Sequence, residues 1–288
     1  MSSTALWLQA IINGIALGWL YVLMALGLTL ILSIMGILQL AHGEIYMLGA
    51  FTVYYLVGKG LGLYPAIVLA MVIMGVFGVI LERALFRARP GRDPVLSSIV
   101  ISTGLTLILA SAAVVGFGLY TKSLPYLWPG SFKVAGATVP KDRMVAIACS
   151  IVALLALYAF LKRTRLGLAM TASAQNREGS FLKGINPNVM SMAAMGIGCA
   201  LAALAGTLAG SILQIQPYMG GLPMIKGLVI IVLGGLGSIP GAVIGGLLLG
   251  LIDGIVPVFG GAAAAAIAPL VIVVLVLLFR PKGLLGHD

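Results

Sequence analysis

Long apolar runs separated by short polar connections dominate the chain: 5–34, 36–57, 63–81, 95–118, 144–161, 189–213, 225–236, 241–258 and 264–279. Most approach the roughly 20 residues with which a helix crosses about 30 Å of hydrocarbon. The pattern predicts an all-α polytopic membrane protein of about eight to nine transmembrane helices, in a single domain over residues 1–288. Two runs need more than a straight helix. The first is about 30 residues long and is either one strongly tilted span or two pieces jointed at Gly14, Gly18 or Gly27. Both readings stay open. Within 225–258, the stretch Gly234-Gly-Leu-Gly-Ser-Ile-Pro-Gly241 gathers four glycines and a proline, which interrupts a helix. A broken, re-entrant pair of helices is expected there.

Composition makes lipid the solvent. Only 8% of the 288 residues are charged and 61% are hydrophobic, against roughly 25% charged in soluble domains. So few charges cannot cover a water-facing surface. The 39 glycines suit helices that approach closely in a membrane. A net charge of +10, from 17 Lys and Arg against 7 Asp and Glu, does not indicate nucleic acid, because the basic residues sit between apolar runs. Arg83, Arg87, Arg89 and Arg92 crowd one connection, Lys162, Arg163, Arg165, Arg177 and Lys183 a second, and Arg280 and Lys282 follow the last run. All three should be cytoplasmic. The connection 119–143 carries four basic residues spread among Pro, Trp and Tyr and belongs outside. If the first run is one tilted span, parity places its start outside; that run is read as a retained membrane segment. Cys149 and Cys199 lie within apolar runs and are read as small packing residues.

Catalytic chemistry finds no foothold. The sequence has no G-x-x-x-x-G-K-[ST] phosphate loop. Its two histidines, His42 and His287, form no metal-binding pattern, so no metal site and no catalytic residue are expected. Ser238 has no base near it in sequence.

Two stretches carry polar groups that need a reason. In the connection 162–188, apolar Leu168, Ala172, Phe181, Leu182 and Ile185 fall near helical spacing, with Gly184 and Pro187 as stop and turn. A short cytoplasmic helix is expected. It serves either as an amphipathic connector on acidic lipid or as a docking surface, with the small Gly179 and Ser180 after Glu178 letting a partner approach the backbone. The other stretch is Gln39-Leu-Ala-His-Gly-Glu-Ile-Tyr46. A histidine and a carboxylate in an apolar region are expensive and mark function by default; the alternative is a kink at Gly43 with His42 and Glu44 paired for packing. Asp253 is a further acid within a span, expected near the outer interface.

The runs Gln39–Ala50, Thr164–Met170 through Gly184-Ile-Asn186, and Gly234–Ala242 together resemble the permease subunits of branched-chain amino acid ABC transporters, in particular the shorter, LivH-like partner. The likeness covers nearly the whole chain. Thr171 and the pair Gly179-Ser180 depart from the family's usual arginine and alanines. The resemblance implies a non-catalytic, multi-pass subunit of the bacterial cytoplasmic (inner) membrane that translocates leucine, isoleucine and valine. Its implied partners are a second related permease, two ATP-binding cassette subunits that bind ATP and Mg, and a soluble extracytoplasmic binding protein. It implies ATPase coupling through Glu178, Gly179, Ser180, Gly184 and Ile185. The translocation path or helix breaks are expected at His42, Gly43, Glu44, Gly235, Gly237, Ser238 and Pro240. Related permeases serve urea or amides, which leaves that substrate class as an alternative. An ion-coupled secondary transporter relaying protons through His42, Glu44 and Asp253 is the rival class.

Overall fold

The computed structural model describes residues 3–87, 93–134, 136–280 and 283–285. Arg89, Arg92, Lys282 and His287 of the sequence reading fall outside them. Among the described residues the chain forms α1 (Ser3–Met35), α2 (His42–Gly58), α3 (Leu63–Leu81) continued by a π-helical turn (Glu82–Phe86), and α4 (Pro94–Phe117). A hairpin of β1 (Ser131–Val134) and β2 (Ala137–Pro140) follows, then α5 (Lys141–Arg163), α6 (Arg165–Gln175), α7 (Arg177–Leu182), α8 (Pro187–Ile212), α9 (Gly221–Gly234) and α10 (Ile239–Phe279). Six helices are long and apolar enough to cross a membrane: α1, α3 with its π turn, α4, α5, α8 and the first part of α10, Ile239–Gly261. Shorter apolar helices, Gly221–Gly234 and Ile267–Val276, accompany them.

Helices α1 and α8 form the centre. In each, 72% of the most apolar stretch is buried, against 22% in α4 and α5. The outer helices turn apolar stripes outward instead; on α3, Val68, Val72, Val76 and Ile80 repeat every fourth residue and are exposed, the lipid-facing face of a membrane helix.

The long first run is a single helix. Gly14 and Gly18 are not joints but contact points: a Cβ on Gly14 would lie 2.9 Å from the Gly250 carbonyl oxygen, and one on Gly18 would lie 3.1 Å from the Leu247 Cα. Gly246, Gly250 and Gly254 of α10 return the contact against Val22, Gly18 and Gly14. Small residues four apart on both helices let the backbones touch, which is where dispersion supplies association in lipid. Replacing Gly250 by leucine should cost about 3 kcal/mol or more by forcing the pair apart. The measurement is the thermal unfolding midpoint of the purified protein; an unchanged midpoint would show that this contact does not hold the fold.

The break after α9 is where the glycines put it. Gly235 and Gly237 take φ +100° and +82°, and the Ser238 side chain caps α10 by accepting from Gly241 N at 3.1 Å. The last run is set off by a second interruption, at Gly261 with φ +75°. Trp7 stacks on Phe259 at one end of α1, whereas Ser33, at the other end, donates to the Gly237 carbonyl. Residues 283–285 return to that second end, where Leu284 N donates to Leu233 O at 2.8 Å and Leu285 N to Gly234 O at 3.0 Å. The chain therefore reverses near Gly261 and travels back about 30 Å.

The hairpin in the connection 119–143 was not expected. It closes at Gly136, with φ +85°, and Thr138 N donates to the Gln9 side chain on α1.

Candidate functional site: a cavity above two half-length helices

Helices α2 and α9 are too short to cross about 30 Å of hydrocarbon; their 17 and 14 residues span about 25 and 21 Å. Both begin inside the protein, and their N-termini meet. The Gly43 and Gly220 backbones are in direct contact, so that a Cβ on either would strike the other's carbonyl. His42, beside this junction, packs level with Gly27 of α1, where a Cβ would lie 2.8 Å from its Nε2. Gly27 precedes the end of α1 by eight residues, about 12 Å. The chain leaves α1 at Met35, climbs back through 36–41, and starts α2 at depth. A second extended segment, 213–220, descends from α8 to α9. It is held by paired backbone bonds between Lys122 and Ile215, both 2.8 Å.

The polar groups of the Gln39–Glu44 stretch come together here. His42 and Gln39 are fully buried and Glu44 is 5% exposed; His42 Nδ1 and Gln39 Oε1 are 3.2 Å apart. His42 Nε2 has no hydrogen-bond partner among the described residues. Glu44 Oε2 has no partner among the described residues. Unpaired buried polar atoms cost about 1–3 kcal/mol each, so their concentration at one junction marks it out. Glu44 lies in the first turn of α2, where the helix dipole favours a negative charge.

Directly above the junction opens a cavity of about 620 Å³, within the range of small-molecule sites. Tyr46 of α2 and Met219 line its floor, Leu17, Leu20 and Tyr21 of α1 one side, and Pro223 and Lys226 of α9 another. Gln214 and Gln216, from this segment, sit beyond the C-terminal end of α8. Tyr218 also lines it, with φ +78°, the only non-glycine residue of positive φ among those described. Such strain costs about 1–3 kcal/mol and clusters at working sites. Behind the wall, Asp253 of α10 forms an ion pair with Lys226 and accepts a 2.7 Å hydrogen bond from Tyr21 OH.

The other expected positions lie elsewhere. Gly235, Gly237, Ser238 and Pro240 are at the far end of α9, about 21 Å from the junction. The Gly237 carbonyl accepts from Ser33 and the Gly235 backbone packs against Gly283; none of the four lines the cavity. Of the expected residues, His42, Gly43 and Glu44 border the cavity floor without lining it. The cavity residues Tyr21, Tyr46 and Lys226 went unread in the sequence. Lys226 was legible: a lone cation in one apolar run and a lone acid, Asp253, in the next are each too costly in lipid to stand unpaired.

The connection 162–188 folds as two short helices instead of one. Thr164 caps α6 by accepting from Gly167 N at 3.0 Å, and Asn176 caps α7 by accepting from Gly179 N at 2.8 Å, because its side chain competes with helix continuation. Glu178 sits in the first turn of α7. Gly184 has φ +84° and closes the helix: Gly184 N donates to Phe181 O at 2.9 Å and Ile185 N to Ser180 O at 3.1 Å, the paired bonds of a Schellman end. A groove of about 490 Å³ lies beside it, lined by Arg177, Phe181, Gly184, Ile185 and Asn186–Asn188. Phe181 and Leu182 are 64% and 84% exposed.

The chain is 34% identical to the high-affinity branched-chain amino acid transport system permease protein BraD of Pseudomonas aeruginosa, over 98% of this chain and 96% of that one. It is 32% identical to the corresponding permease LivH of Escherichia coli K12, over 97% and 96%, and 27% identical to a probable LivH of Methanocaldococcus jannaschii, over 93% and 89%. A solved structure, PsaBC from Streptococcus pneumoniae in complex with Fab, shares the fold with a TM-score of 0.55 at 12% identity, covering 96% of this chain and 92% of that one. Residues 10–279 match the family described as the permease component of branched-chain amino acid transport systems, and the chain, a multi-pass transport permease component and not an enzyme, belongs to that family.

Proposed function

We propose that this chain is a permease subunit of an ATP-driven importer in the bacterial cytoplasmic membrane, translocating leucine, isoleucine and valine delivered by an extracytoplasmic binding protein. It works beside a second, related permease and above two ATP-binding cassette subunits that hold ATP and Mg. The observation that carries the coupling is the outward face of α7. Phe181 and Leu182, two large apolar side chains between Arg177 and Lys183, are exposed, and such a patch, on the face read as cytoplasmic, calls for a protein cover. Glu178, Gly179, Ser180, Gly184 and Ile185 form the surface that an ATPase groove receives. Closure of the ATPase pair displaces α6 and α7, and with them α5 and α8, between which they are strung. Nucleotide states that bind the two arrangements unequally supply the bias.

The test is labelling and copurification. In a chain lacking Cys149 and Cys199, a cysteine at Ala174 should be labelled only from the cytoplasmic side and one at Trp128 only from outside. Wild-type chain should copurify with the ATPase, and a Phe181→Asp/Leu182→Asp chain should not. Labelling of Ala174 from outside, or undiminished copurification of the double variant, would overturn the coupling role of α7.

A further inference from the structure

Among the described residues the cavity lining carries one cation and no carboxylate: Lys226 lines it, while its ion-pair partner Asp253 does not. Leu17, Leu20, Ala209 and Met219 make an aliphatic surface beside that cation. The Lys226 side chain is 21% exposed and that of Asp253 10%. An ion pair in an apolar surround loses most of its Coulomb gain to desolvation, so the pair is a poor device for stability alone. Asp253 keeps a second donor, Tyr21 OH at 2.7 Å, and is therefore not left bare when the lysine swings away. The flexible stem of a lysine permits that swing. We propose that Lys226 receives the carboxylate of the transported amino acid, exchanging Asp253 for substrate as the molecule enters, with the aliphatic side chain laid against α1 and Met219. The inference rests on the importer reading above and adds to it the group that recognises the substrate within the permease.

The experiment uses the complete complex, both permeases, both ATPases and the binding protein, in proteoliposomes supplied with ATP, reading leucine uptake at equal amounts of assembled complex. Absence of uptake by the wild-type complex would count against the importer reading and not against Lys226. Given wild-type uptake, Lys226→Met should lower it about tenfold or more, the scale of one charge-assisted hydrogen bond. The decisive variant is Lys226→Met/Asp253→Asn. If the lysine served only to neutralise Asp253, removing both charges would restore uptake to the level of Asp253→Asn; the proposal expects it to stay about tenfold below.

A chemical rescue guards against variants that fold poorly. A Lys226→Cys/Asp253→Asn chain lacking Cys149 and Cys199 is assembled first and then treated with methanethiosulfonate-ethylammonium, which rebuilds a lysine-like cation on the thiol. Uptake should rise about fivefold or more, and a neutral methyl thiosulfonate should leave it low. Recovery with the neutral reagent, no recovery with the cationic one, or restoration of uptake in the Lys226→Met/Asp253→Asn complex would each overturn the assignment.

Discussion

Valine in place of Gly184 should bring substrate-stimulated ATP hydrolysis and uptake of the assembled transporter down to background. Gly184 is held at φ +84°, where a β-branched side chain is strongly disfavoured. It also donates one of the two hydrogen bonds that end α7, to Phe181 O. Leaving the left-handed region breaks both bonds and turns Ile185 away from Ser180, so the groove of about 490 Å³ loses its shape. The backbone requirement separates this from mere crowding: Gly184→Asn should retain a large part of the activity, since asparagine tolerates the left-handed region. The chain should still insert, because the change lies outside the apolar spans. Unimpaired hydrolysis by an assembled Gly184→Val transporter would show that the end of α7 does not transmit the ATPase stroke.

The second large effect is expected at the junction of the half-length helices. Gly220→Val should abolish uptake, and Gly220→Ala should lower it markedly, because any Cβ there lands on the backbone of Gly43. The two N-termini would have to separate, and overpacking of this kind costs about 1–3 kcal/mol. The neighbouring glycine supplies the control. Gly221 has nothing within 4 Å of its would-be Cβ, so Gly221→Ala should leave uptake intact and stabilise the protein by about 0.4–1 kcal/mol. Parallel measurements of uptake and unfolding midpoint for the two alanine variants decide the matter. Equal behaviour of the two would show that the contact between α2 and α9 is not required.

The apolar runs declared most of the helices because a membrane asks each span for the same thing, length without charge. Gly234 to Gly241 announced the break after α9 for a similarly local reason, since glycine at positive φ and proline at a helix start act on their own backbone. The roles of Gly14 and Gly18 were not local. Whether a glycine in a helix is a joint or a contact depends on what faces it, here Gly250 and Gly254, more than 200 residues later in the chain. Nothing local in 213–220 marks its descent into the protein, which is fixed by a bridge to Lys122 and by the close approach of Gly220 to Gly43. The pairing of Lys226 with Asp253 bridges 27 positions and two helices, and only the charges themselves hinted at it. His42 and Glu44 stood out in the sequence for their cost in lipid, and the structure puts that cost beside the cavity floor.

Reconstituted uptake under two driving forces tests the central claim most directly. Proteoliposomes carrying the complete complex are given radiolabelled leucine and the binding protein, with either ATP or a pH gradient as the energy source, for the wild-type chain and for Glu44→Gln. Glutamine keeps the size of Glu44 and its hydrogen-bonding capacity but cannot titrate. The account predicts uptake with ATP and none with the pH gradient alone, with Glu44→Gln still active under ATP. Uptake driven by the pH gradient without ATP, and lost in Glu44→Gln, would contradict it and make the buried carboxylate a proton relay.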